Sequence, residues 1–142
     1  MDIKEKAKKF AIRAHYNQVR KSEPDKPMII HPMEVAKMLE EYGFDENVVS
    51  AACLHDVVED TSYTIEDIER EFGEDIAQLV YSVSEPDKSL PWKERKQHTI
   101  DTIKNMDCRK KIIACADKIN NLESLAILFS KNRKKRFFLF QC

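Results

Sequence analysis

The chemistry in this sequence sits in polar side chains stranded among apolar ones. His31 follows "MII", His55 and Asp56 follow "AACL", and Asp117 follows "IIACA". An aspartate buried in such surroundings without a partner costs several kcal/mol, so two of them beside histidines require a shared counter-charge. A divalent metal ion supplies it. Two imidazoles and two carboxylates form a mixed donor set that suits Mn²⁺ or Fe²⁺ better than a closed thiolate zinc site. A single Mn²⁺ or Fe²⁺ ion is therefore expected, with Zn²⁺ less suited. Four protein ligands on a six-coordinate ion leave two positions for water and a substrate oxygen, which is the arrangement for metal-assisted hydrolysis. His15 and His98 are expected instead to be a core histidine satisfied by a backbone carbonyl, or simply exposed.

The elements that must position these residues read as helices. Apolar residues recur every three or four positions, and the chain contains only two glycines. Ala7, Phe10, Ala11 and Ala14 mark a first helix ending near Val19, before the polar loop "RKSEPDKP". A second helix is expected after His31-Pro32, burying Val35, Met38, Leu39 and Tyr42 and stopping at Gly43. A third, with Asp45 as N-cap, carries "LHDVVEDT" at 54–61. The stretch "TIED" at 64–67 reads as a capping box opening a short helix that Gly73 closes, and a further helix runs from Glu74 to Val83. After the loop "SEPDKSLP" come a polar helix, "WKERKQHTIDTIKN", and a long one over 108–129. Its buried face should hold Ile112, Ile113, Ala116, Ile119, Leu122, Leu125 and Ala126.

Bulk properties narrow the class. A chain of 142 residues is long enough for one domain with one core. Its 24 Lys and Arg balance 25 Asp and Glu, so nothing global draws it to nucleic acid or an anionic membrane. Cys53, Cys108, Cys115 and Cys142 show no C-x-x-C pairing, which suits thiols in a reducing compartment. No leader-like or membrane-spanning run occurs, and a cytoplasmic protein is expected. Residues 131–142 form an atypical tail, basic and then aromatic, after a domain spanning 1–130. It reads as an end that has lost its continuation.

The ordered set "IIHP", "AACLHDVVEDT", "TIEDIEREFG" and "ADKINNL" resembles the HD-domain hydrolases of the RelA/SpoT type. "DKSLPWKERK" is most similar to their small stand-alone members. The resemblance implies an all-α HD-domain helical bundle, here open to truncation of its C-terminal helices. It also implies one Mn²⁺ on His31, His55, Asp56 and Asp117, and removal of the 3′-pyrophosphate from guanosine tetra- and pentaphosphate. Glu59 and Asp60 would be the acidic pair that handles the attacking water, Asn121 would contact the nucleotide, and Arg20 with Lys21 and Arg95 with Lys96 would grip its phosphates. In a helix Glu59 and Asp60 lie one turn beyond His55 and Asp56, so the pair projects over the ligand face. Met28 stands where the family commonly has an aromatic residue.

The expected partner is thus a small nucleotide, with a homo-oligomer as a way of covering the tail. Two rivals accompany this reading. One is the same chemistry on another phosphorylated nucleotide, such as the 2′-phosphate of NADPH. The other is a catalytically silent nucleotide-binding or truncated module, for which the tail speaks.

Overall fold

The computed structural model describes residues 1–21, 23–84 and 88–131. Among these, eight helices and no strand occur: α1 (Ile3–Ala14), α2 (Ile30–Glu41), α3 (Glu46–Leu54), α4 (Val57–Asp60), α5 (Ile65–Phe72), α6 (Glu74–Val83), α7 (Trp92–Lys104) and α8 (Cys108–Lys131). The 131–142 tail lies, beyond its first residue, outside the described residues.

The central element is α3. All of its residues from Val48 to Leu54 are buried, and α1, α2, α6 and α8 pack around it. An apolar helix of this kind cannot face water on any side, so its neighbours supply the amphipathic faces. Asp45 caps its start by accepting from Asn47 N and Val48 N. Thr64 and Asp67 form the reciprocal capping box of α5. Gly73, at φ 89°, ends α5 and turns the chain into α6, a left-handed conformation that glycine adopts without steric cost.

Several expectations need correction. The first helix stops at Ala14, because Asn17 adopts φ 61° and the chain turns into a hairpin-like loop closed by a Val19–Pro27 bridge. The second begins at Ile30 rather than after His31-Pro32, with Pro32 still in the first turn, where a missing N–H is harmless. Tyr42 caps its C-terminus in solvent instead of joining the core. The "LHDVVEDT" segment is not one helix: it breaks at His55-Asp56 and resumes as the single turn α4. On α8 only Ile113 and Ala116 of the apolar set are fully buried, while Leu122 is 65% and Leu125 45% exposed. Leu122 and Leu125 thus lie exposed in the second half of α8, although Asn120 there is buried and Arg20 bonds Asn121 and Ser124.

Candidate metal centre and substrate cleft

The break at His55-Asp56 is what assembles the site. The backbone there stays near helical angles, and the turn places Asp56 Oδ1 3.2 Å from His55 Nε2. His31 comes from the first turn of α2 and Asp117 from the middle of α8, and the packing of those helices brings His31 Nε2 to 2.8 Å from Asp117 Oδ1. Asp117 Oδ1 lies 3.4 Å from His55 Nε2, and Asp56 Oδ2 3.8 Å from His31 Nε2. The two imidazoles stand edge to face with centroids 5.3 Å apart.

Both rings turn Nε2 toward the carboxylates because Nδ1 is otherwise engaged. His55 Nδ1 donates to Ala52 O at 2.7 Å, and His31 Nδ1 to Asn120 Oδ1 at 2.6 Å. His55 Nε2 is buried, and its carboxylate neighbours stand outside hydrogen-bond geometry. A buried imidazole nitrogen facing two carboxylates has the donor chemistry a divalent ion could use. Burial opposes charging of His55, but the charges of Asp56 and Asp117 more than offset it and raise its pKa to about 10. Burial likewise works against an ionised Asp117, yet the His31 and His55 rings hold it well below the usual carboxylate range. The cluster therefore keeps a proton where a cation would fit. His31, His55 and Asp117 offer atoms all within 4.8 Å of one another, close enough for one ion.

These residues form the foot of a cleft of about 770 Å³. Of the sequence-expected residues, Arg20, His31, His55, Asp56, Glu59, Lys96, Asp117 and Asn121 line it. Lys21, Asp60 and Arg95 do not. Lys21 is exposed on the hairpin, and Asp60 is exposed at the end of α4, where its carboxylate meets Lys88 Nζ at 3.3 Å. Arg20 reaches across from the hairpin, donating to Asn121 Oδ1 at 2.9 Å and Ser124 Oγ at 3.1 Å, and Asn121 Nδ2 donates in turn to Asp117 Oδ1 at 3.1 Å. A guanidinium pinned by two acceptors is held in place for a phosphate at lower entropic cost than a free one. Sequence reasoning missed Lys118, whose Nζ lies 3.0 Å from Asp117 Oδ2 on the cleft wall, as well as Ser124 and Asn120. Spacing of three from Asp117 was the available signal for Asn120. His15 is buried as a core residue, though Gln18 rather than a backbone carbonyl holds its Nδ1; His98 is exposed at the cleft.

Comparison with known proteins bears on the family and the fold. The family model described as "HD domain" matches residues 7–137. A Drosophila melanogaster protein named guanosine-3′,5′-bis(diphosphate) 3′-pyrophosphohydrolase MESH1 is 38% identical over 92% of this chain and 76% of its own length. Its Xenopus tropicalis counterpart is 40% identical over 84% of the chain and 67% of its own length. A solved structure described as "A metazoan ortholog of SpoT hydrolyzes ppGpp and plays a role in starvation responses" superposes with a TM-score of 0.82 at 39% identity, covering 89% of this chain and 72% of that one. With the fold, the ordered motifs and these relatives in agreement, the chain belongs to the HD-domain family and is similar to its metazoan SpoT homologue.

Proposed function

We propose that the chain is a metal-dependent phosphohydrolase that removes the 3′-pyrophosphate from guanosine tetra- and pentaphosphate. The observation that carries this reading is the convergence of His31, His55, Asp56 and Asp117 at the foot of a cleft whose walls bear Arg20, Lys96 and Lys118. The activity named for the relatives supports the choice of substrate.

In this proposal His31 and His55, through Nε2, and the carboxylates of Asp56 and Asp117 hold one Mn²⁺. When bound, the ion supplies Lewis acidity toward a phosphate oxygen and makes water more acidic. Glu59, half-buried on the cleft wall, takes the proton of the attacking water, and Asp60 at the rim steers that water. Arg20, fixed by Asn121 and Ser124, meets the departing charge, with Lys96 as a point charge and Lys21 and Arg95 reinforcing the local potential. Asn121 contacts the nucleotide.

No helix among the described residues is long and apolar enough to cross a membrane. Free thiols at Cys53, Cys108 and Cys115 support a reducing, cytoplasmic setting. The exposed Leu122 and Leu125 support self-association over the C-terminal end, which sedimentation of the purified chain tests.

The decisive experiment incubates the Mn²⁺-loaded protein separately with guanosine 3′,5′-bis(diphosphate), NADPH and guanosine 5′-triphosphate. Pyrophosphate from the first alone is expected. Orthophosphate from NADPH alone would move the substrate to a 2′-phosphorylated dinucleotide. Intact Mn²⁺ binding with no product from any of them would overturn the enzymatic reading in favour of a silent module.

A further inference from the structure

Asn120 is buried beside the proposed ligand cluster, and its side chain is saturated at both ends. Its Oδ1 accepts from His31 Nδ1 at 2.6 Å, and its Nδ2 donates to Glu34 Oε2 at 2.7 Å. Glu34 follows His31 by three residues on α2, and Asn120 follows Asp117 by three on α8. The two helices thus meet through two adjacent rungs, one made by His31 and Asp117 and the other by Glu34 and Asn120.

The direction of this chain follows from donor and acceptor inventories. An ionised carboxylate only accepts, so Glu34 draws the amide NH₂ of Asn120 toward itself. That turns Oδ1 to His31, and an oxygen there requires a hydrogen on Nδ1. The other ring nitrogen, Nε2, lies 2.8 Å from Asp117 Oδ1, and with a hydrogen held on Nδ1 it is the nitrogen that can yield its own proton when a cation binds and give that ion its lone pair. We infer that Glu34, acting through Asn120, is a positioning residue that fixes the His31 tautomer competent to bind metal. The inference rests on the metal site proposed above. It assigns a role to an exposed glutamate that never reaches the cleft.

Replacing the acceptor by a donor reverses the logic. In Glu34→Lys the ammonium can only donate, so the Asn120 amide turns over, its NH₂ faces Nδ1, and the ring must keep its hydrogen on Nε2, toward Asp117, where it blocks ligation. Glu34→Gln keeps an acceptor and should keep the orientation. Combining Glu34→Lys with Asn120→Asp restores acceptors toward both neighbours and should rescue binding. The test titrates each protein with MnCl₂ alone, reading free Mn²⁺ by electron paramagnetic resonance, at low and at about 0.5 M salt so that simple charge repulsion is screened. In parallel, ¹⁵N shifts of the His31 ring are recorded on metal-free protein.

Glu34→Lys should weaken Mn²⁺ binding by roughly 10- to 100-fold at either salt, the range seen for residues that orient metal ligands. Glu34→Gln and the double variant should bind like the unsubstituted protein. The Nδ1–H signature should persist in Glu34→Gln and vanish in Glu34→Lys. Unchanged affinity in Glu34→Lys at high salt, or an equal loss in Glu34→Gln, overturns the relay. Failure of the unsubstituted protein to bind Mn²⁺ overturns the metal reading itself, and the ring shifts then still decide the relay.

Discussion

Loading the site should expel a proton, and the structure says from where. His55 is held protonated by Asp56 and Asp117, with its pKa raised to about 10. A cation binding at Nε2 must displace that proton. A pH of about 7.5 lies about 2.5 units below that pKa, so removing the proton costs about 3.5 kcal/mol at about 1.4 kcal/mol per unit. Apparent Mn²⁺ affinity should therefore climb about tenfold per pH unit from about pH 6.5 to 8.5, with about one proton released per ion. Isothermal titration calorimetry with MnCl₂ in buffers of different ionisation enthalpy measures both quantities. A histidine with an ordinary pKa near 6.5 would give a plateau above about pH 7.5. Such a plateau, or heat independent of the buffer, would refute the electrostatic account of the cluster.

Other outcomes follow from the same geometry. Asp56→Ala should abolish both turnover and the rise in Tm with MnCl₂, whereas Glu59→Ala should keep the Tm rise and lose about 10²- to 10⁴-fold in kcat. In the metal-free protein, the raised His55 pKa contributes stability that is full below about pH 6.5 and lost as pH rises through about 10. The lowered Asp117 pKa contributes stability present above about pH 4 and lost as pH falls further, so Tm against pH should be a plateau with two shoulders, flattened at the alkaline end by Asn120→Ala less than by Asp56→Asn. Leu54→Ala, at a side chain with no solvent exposure next to His55, should cost about 2–5 kcal/mol by urea denaturation.

The helices and the polar residues that the structure brings together were legible because their signals are local. Asp45, Thr64 with Asp67, and Gly73 announce their caps within four residues, and the polar intrusions at His31, His55, Asp56 and Asp117 stand out against apolar neighbours. What sequence reading lost depends on tertiary partners. Periodicity carries the helix straight through His55-Asp56, since nothing local records that His31 and Asp117 pull those side chains to one point. It buries Leu122 and Leu125 because it counts apolar positions without knowing which neighbours exist to cover them. Glu34 and Asn120 are ordinary helix residues in isolation; only the crossing of α2 and α8 makes them a pair.

The break in "LHDVVEDT" also separates two duties mechanically. His55 caps α3, whereas Asp56 caps α4, the single turn that carries Glu59, is too short to be stable alone and is rooted in the core by Val57. That turn is tethered from outside: Gln18 donates to the carbonyl of Asp60 at 2.7 Å and Lys88 to the carbonyl of Glu59 at 3.1 Å, while the Thr61 hydroxyl closes on Val57 O at 2.6 Å. Substitution of the exposed Lys88, or of the half-buried Gln18 that also holds His15, is thus expected to act first on the turn that carries Glu59.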